Sequence, residues 1–317
     1  MNNLNFPAGV HTVLVTPFSH DTKLVDFDDI QKWVAFQTNS NVTGILLLGT
    51  TSESPTLSRN EQLKIVKKVY EWNKSSETPK YLTVGVGGSN TMETLEFTRE
   101  CVGYCDAFMV TVPAYNKPTQ HGILEHFKTI CNHNEIKHTS VIMYNIPGRT
   151  ALNAEPSTIR SIFNECPNMI AIKEASGSID QLIKLREIVP SLKIFSGDDK
   201  LTLDVMLHGG QGVISVASNI IPDIMSELVN LCSNGNFVSA SKLYYKSELP
   251  QFFEALFCET NPIPVKFMLH QLQVFKNYSM RLPMTTLSEN KHNMVLNALY
   301  ATASIADEQQ ATLCNSV

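Results

Sequence analysis

The chain has 317 residues, 43% of them hydrophobic, and a formal net charge of -5. That is ample material for a large core, and the absence of a basic patch gives nucleic-acid binding no support. No apolar run approaches the ~20 residues of a bilayer-spanning helix; the longest, such as Ile45-Leu46-Leu47-Leu48, are strand-sized.

Short β-rich runs alternate with helical patterns along the chain. Strands are predicted over residues 11–18, 43–50, 81–87, 107–113, 140–146, 169–176, 193–198 and 212–217. Between most of them, apolar residues recur at helical spacing, as in Glu61-Gln62-Leu63-Lys64-Ile65-Val66-Lys67-Lys68-Val69-Tyr70. Ser58-Arg59-Asn60-Glu61 has capping-box spacing, and Pro156 stands where a helix can begin. Runs such as Val141-Ile142-Met143 are apolar on both faces, the habit of buried parallel strands. Val84-Gly85-Val86-Gly87-Gly88 lacks the dinucleotide fingerprint and reads as a tight turn after the third strand.

Eight strands, each followed by a helix or loop, predict a (β/α)₈ TIM barrel over residues 1–221. An open doubly wound sheet is disfavoured by the regular spacing and the missing G-x-G-x-x-G. Helices expected over 222–234, 237–257, 264–275 and 289–305 form a C-terminal helical appendage, residues 222–306, packed on the barrel. Residues 307–317 are polar and without periodicity, which predicts a flexible tail. Met1–Pro7 has neither the basic nor the apolar region of a signal peptide. The seven cysteines form no C-x-x-C pair, and Cys101 and Cys105 sit one helical turn apart as packing residues. Both features fit reduced thiols in a cytoplasmic protein.

Lys173 interrupts the otherwise buried-looking run Met169-Ile170-Ala171-Ile172-Lys173-Glu174-Ala175-Ser176. A lysine of pKa near ~10.4 is only about 0.04% neutral at pH 7, and burial that lowers it by ~3 units raises that to roughly 30%. A neutral lysine attacks carbonyl carbons and forms Schiff bases. Read from this segment alone, Lys173 could equally reach to solvent from an edge strand. Barrel active sites occupy the carboxyl-terminal rim of the strands. There the sequence puts Gly49-Thr50-Thr51-Ser52-Glu53, Pro113-Ala114-Tyr115-Asn116-Lys117-Pro118, Tyr144-Asn145-Ile146-Pro147-Gly148-Arg149-Thr150, Ser196-Gly197-Asp198-Asp199 and Gly212-Val213-Ile214-Ser215. Hydroxyls, phenols, one arginine and Lys173 would share one rim. The nine histidines contain no H-x-H or H-E-x-x-H, and no Ser or Cys sits in a nucleophile elbow, so neither a metal nor a hydrolytic nucleophile competes with the lysine.

The motifs Gly49-Thr50-Thr51-x-Glu53, Tyr144-Asn145-x-Pro147-Gly148-Arg149-Thr150 and Ile172-Lys173-Glu174-Ala175-Ser176 resemble the dihydrodipicolinate synthase and N-acetylneuraminate lyase superfamily of class I aldolases. The likeness runs from about Phe6 to Ser288 and includes Asn261-Pro262-Ile263-Pro264-Val265-Lys266 and Arg281-Leu282-Pro283-Met284-Thr285. It implies a cofactor-free reaction through a Schiff base between pyruvate and Lys173. Tyr144 would be the acid/base, and Thr50 would link Tyr144 to Tyr115 in a proton relay. Thr51 would bind the pyruvate carboxylate, with the main chain of Gly197 and Ile214 lining the pocket. Arg149 resembles the synthase branch, where a guanidinium holds the carboxylate of aspartate 4-semialdehyde by a bidentate fork. In the family the tyrosine matching Tyr115 reaches a neighbouring subunit, which implies a homodimer or a homotetramer of two dimers.

Ser52 stands where the family motif has glycine, and Ala114 where the synthase branch has an aromatic. At the positions of the family's lysine-effector pocket (Ser54, Pro55, Arg59, Gln62, Ser89, Glu93 and Ala114), Gln62, Ser89 and Ala114 replace histidine, asparagine and tyrosine. Weak or absent feedback by lysine is expected. Two other readings stay open: another pyruvate-dependent aldolase or dehydratase acting on a sugar acid or 4-hydroxy-2-oxoglutarate, and a non-catalytic barrel scaffold. Arg149 separates the first from the synthase, and joint retention of Lys173, Tyr144, Thr50 and Tyr115 argues against the second.

Overall fold

Eight parallel strands pair in chain order, and the last pairs back to the first to close a barrel. They are β1 (Gly9–Val13), β2 (Gly44–Leu47), β3 (Tyr81–Val86), β4 (Ala107–Thr111), β5 (Ser140–Asn145), β6 (Met169–Glu174), β7 (Lys193–Ser196) and β8 (Gly212–Ser215). Around them lie α1 (Phe27–Thr38), α2 (Arg59–Lys74), α3 (Thr91–Glu100), α4 (Gln120–Cys131), α5 (Pro147–Thr150), α6 (Pro156–Glu165), α7 (Ile179–Ile188), α8 (Thr202–Leu207) and α9 (Pro222–Ser233). The appendage continues with α10 (Phe237–Lys246), α11 (Leu249–Leu256), α12 (Ile263–Gln271) and α13 (Glu289–Cys314). This computed structural model describes the backbone of residues 4–314 and side chains through residue 302. Among the described residues, no helix is long and apolar enough to cross a membrane.

The barrel of the sequence analysis is present, and each predicted strand is found, but all eight run too far at the carboxyl end. The run expected over 43–50 stops at Leu47, for example, because Leu48 turns to φ 56 and Thr50–Ser52 tighten into a 3-10 turn. The residues beyond each ladder are apolar enough to look like strand yet leave it to form the rim. Ser52 itself avoids the left-handed region, which falls on Glu53 at φ 53. Its hydroxyl donates to Leu14 O at 2.6 Å, tying the turn to the end of β1. The barrel seam needs glycine: at Gly212, φ 148, a Cβ would lie 1.9 Å from Gly9 O.

A helix expected over 237–257 is two, because Pro250 in the first turn of α11 lacks an N–H and Glu248 turns to φ 51 before it. The capping box at Ser58 and Glu61 forms as the spacing predicts. The helix α13 runs past residue 306, into the expected tail, and reaches Cys314. Its Ala, Glu and Gln residues favour helix without an apolar stripe, so periodicity gave no sign of it. Residues 315–317, and the first three of the amino-terminal segment, lie outside the described residues.

Two apolar regions form. Alternate strand residues, including Val13, Leu46, Met109, Ile142, Ala171, Phe195 and Ile214, fill the barrel, and the larger cluster lies between strands and helices. Between β5 and β6 the register slips: Val141 faces Met169, but Ile142 faces Ala171, so Ile170 is the extra residue of a bulge.

The appendage is anchored through charge. On α12, Lys266 is fully buried and pairs with the equally buried Glu53 after β2. Its ammonium also donates to Ser279 O at 3.1 Å. Burial draws the Lys266 amine down to about 8, against the pull of the Glu53 carboxylate. Arg281 donates its main-chain N–H to Glu53 at 3.3 Å and holds Glu61 through hydrogen bonds of 3.0 and 2.6 Å. The Lys266 and Arg281 cations lie 4.4 Å from the centroid of the Phe18 ring. Replacing Lys266 by methionine should strand the Glu53 carboxylate and cost about 3–5 kcal/mol, read from urea unfolding. A loss below about 1 kcal/mol would mean that the pair does not anchor the appendage.

Candidate active site

Within the barrel, the register sets Tyr144 of β5 directly opposite Lys173 of β6. Both are buried, and the Lys173 Nζ lies 4.4 Å from the centre of the Tyr144 ring. Burial draws the amine down to about 8; the Asp199 carboxylate pulls it back up and the Arg149 cation pushes it down. An amine of pKa 8 is about 10% neutral at pH 7, a gain of more than a hundredfold over a free lysine. The drop is smaller than burial alone would give because of Asp199. Burial also pushes the Tyr144 phenol up to about 12, with the hydrogen-bonded Thr50 hydroxyl and the Arg149 charge opposing it. At neutral pH this phenol is therefore a proton donor beside a nucleophilic amine.

The neighbours fix that amine. Gly197, after β7, donates its N–H to Glu174 O at 2.8 Å. A Cβ at Gly197 would meet Ala175 Cβ at 2.6 Å and Lys173 Cε at 3.2 Å, so only glycine lets the β7 loop pass the lysine stem. Asp199 is buried and lifted to about 6 by desolvation. It accepts from Ser215 Oγ at 2.6 Å, Val216 N at 2.9 Å and Ala217 N at 3.0 Å, binding the ends of β7 and β8 together. Glu174, next to Lys173, points the other way. Its carboxylate accepts from Ser176 N at 2.7 Å, Gln181 Nε2 at 3.0 Å and Asn145 Nδ2 at 3.1 Å, a buried charge satisfied by neutral donors.

A cavity of about 690 Å³ opens above this pair, with Thr50, Tyr144, Arg149 and Asn261 in its wall and Arg59, Glu93 and Ala114 farther out. Arg149 sits on α5 and donates to Asn261 O at 3.1 Å. Thr51 is buried, and its Oγ accepts from Asn261 Nδ2 at 3.0 Å. Ile214 packs in the barrel interior with Tyr144. Lys173, Thr51, Gly197 and Ile214 are not part of that wall, and Tyr115 lies outside it too, 88% exposed at φ 67. Among the described residues no group of three or more His, Cys, Asp or Glu side chains is placed to hold a metal ion.

A family model described as the dihydrodipicolinate synthetase family matches residues 6–302. The chain belongs to that family. A 4-hydroxy-tetrahydrodipicolinate synthase of Endomicrobium trichonymphae is 44% identical over 284 residues, 89% of this chain and 94% of the relative. The crystal structure of dihydrodipicolinate synthase from Aquifex aeolicus matches with a TM-score of 0.87 at 34% identity, over 92% of this chain and 97% of that one. The enzyme of Cyanidioschyzon merolae, solved with lysine bound, matches with a TM-score of 0.88 at 33% identity, over 93% and 98% of the two chains.

Two residues that act on the site here, Asp199 and Asn261, carry no assigned role in the sequence analysis. Asp199 was visible only as the second acid after the seventh strand, with nothing to say which of the two turns inward. Asn261 lies in the turn before α12, far from any barrel strand in the sequence, and only the motif around it marked the segment.

Proposed function

We propose that Lys173 condenses pyruvate with L-aspartate 4-semialdehyde to 4-hydroxy-tetrahydrodipicolinate through a Schiff base, the first committed step towards diaminopimelate and lysine. The chain is an aldolase-type lyase, and the observation that carries this reading is the buried Lys173 amine set against the Tyr144 phenol.

Neutral Lys173 adds to the keto carbon of pyruvate, and the Tyr144 phenol protonates the departing hydroxyl as water leaves. The resulting cationic imine drains electrons from the adjacent methyl, which gives a proton to the Tyr144 phenolate and becomes an enamine. That carbon attacks the aldehyde, and the new oxyanion takes the proton back from Tyr144 to become the product hydroxyl. The amino group of the semialdehyde then attacks the imine carbon, closes the ring and releases Lys173. Thr51 binds the pyruvate carboxylate, Arg149 takes the carboxylate of the aldehyde, and the backbones of Gly197 and Ile214 line the pocket. Thr50 carries protons between Tyr144 and Tyr115. The exposed, left-handed position of Tyr115 supports its insertion into a second copy of the chain, so that a homodimer, alone or paired into a homotetramer, completes the relay. No cofactor enters this scheme, and the free thiols of the described cysteines suit a cytoplasmic setting.

Borohydride reduction with pyruvate should leave one adduct per chain, on Lys173, and Lys173→Ala should abolish it. Because the neutral amine reacts, the trapping rate should rise with pH and level off above about 8. An adduct on Lys117, Lys200 or Lys266 would sink the assignment. Arg149→Ala should raise the KM for aspartate semialdehyde roughly ten- to a hundredfold and leave that for pyruvate little changed. Normal handling of both substrates would favour another aldehyde, which assays with sugar-acid aldehydes would identify.

Lysine should inhibit weakly or not at all. Arg59, the residue able to replace the lost contacts, is paired with Glu100 at 2.9 Å and stacked over Phe97 at 4.0 Å. Half-inhibition by sub-millimolar L-lysine in the coupled assay would contradict this.

A further inference from the structure

Asn261 belongs to the appendage, yet it touches both ends of the site. Its Nδ2 donates to Thr51 Oγ at 3.0 Å, and its main-chain oxygen accepts from Arg149 Nη2 at 3.1 Å. Its Oδ1 is buried without a hydrogen-bond partner. A buried polar atom left unpaired calls for a reason. Turning the amide over would satisfy Oδ1 with the Thr51 hydroxyl proton. It would also consume the one proton that Thr51 can offer, because a hydroxyl carries a single donor. In the observed orientation Thr51 accepts from the asparagine, and its own proton stays available.

We propose that Asn261 is a positioning residue: it keeps the Thr51 hydroxyl as a donor for the keto-acid carboxylate, and through its backbone it steadies Arg149 at the other half of the site. The inference rests on the carboxylate-binding role given to Thr51 above. It makes the helical appendage part of the substrate site, coupling the pockets of the two substrates through one side chain and its carbonyl.

The test is borohydride trapping at graded pyruvate, which reads the first half-reaction without the aldehyde. Asn261→Ala should raise the half-saturating pyruvate roughly three- to tenfold, the effect of one hydrogen bond, and leave the maximal extent of labelling unchanged. Asn261→Asp keeps the shape but can only accept from Thr51 and adds a negative charge, so it should raise half-saturation further than alanine does. Thr51→Val should weaken pyruvate binding by itself, and adding Asn261→Ala should then change nothing more. Half-saturation unchanged in Asn261→Ala, or a double variant whose effect is the product of the two single effects, would overturn the proposal. So would loss of folding in both Asn261 variants by circular dichroism, which would make the residue purely structural. Failure of the unaltered chain to form any adduct would overturn the Schiff-base reading and this inference together.

Discussion

Keeping an amine inside a protein without gripping it is costly, and the arrangement of this barrel follows from that cost at Lys173. Lowering its pKa from 10.5 to about 8 corresponds to about 3 kcal/mol of lost preference for the charged form. Lys266 is equally buried and drawn down equally far, but its ammonium is held by Glu53 and a carbonyl. Lys173 meets instead an aromatic face, and the carboxylate that shares its field, Asp199, is already committed to Ser215, Val216 and Ala217. The same desolvation thus yields an anchor in one place and a nucleophile in the other. What separates them is whether an acid within reach has its lone pairs free.

The rim is assembled by long-range ties rather than by the strands alone. Glu53, at the end of the β2 loop, belongs electrostatically to α12 and to the Arg281 segment, so the loop carrying Thr50 and Thr51 is held from outside the barrel. A polar step runs from Arg149 through Asn261 to Thr51, joining the loops after β5 and β2 across the cavity. The appendage therefore acts as a brace over the open end, where the backbone has left its ladder.

Much of this was legible in the sequence, and the rest was hidden for physical reasons. Strand identity and order could be read because parallel strands buried on both faces are continuous apolar runs. Their carboxyl ends could not, since residues just past the point where pairing stops, such as Leu14 and Leu48, are as apolar and buried as the strand residues before them. Lys173 stood out because a charge inside a buried strand is rare. Lys266 was equally buried but sat in a helical stretch, where lysines are ordinary. Tyr144, Arg149 and Thr51 were found by motif, whereas the bond from Asn261 to Thr51 spans a separation that no local pattern encodes. Pro250 marks the break at Glu248, but the helical periodicity of the flanking apolar residues runs straight across it.

The bulge between β5 and β6 has a consequence for how this barrel can be altered. Counting on from the pairing of Val141 with Met169 without the extra residue would set Tyr144 against Ile172 and Asn145 against Lys173. Side chains alternate along a strand, so that slip would turn Lys173 out among the helices and bring Glu174 into the barrel. The nucleophile thus owes its inward phase to the bulge that takes Ile170 out of the ladder at the far end of its strand. Recombining β6 into a barrel that straightens the bulge would invert the chemistry of the strand while leaving every side chain of the site in the gene, whereas trimming Ile170 would let Ala171 follow Met169 directly and keep Lys173 against Tyr144.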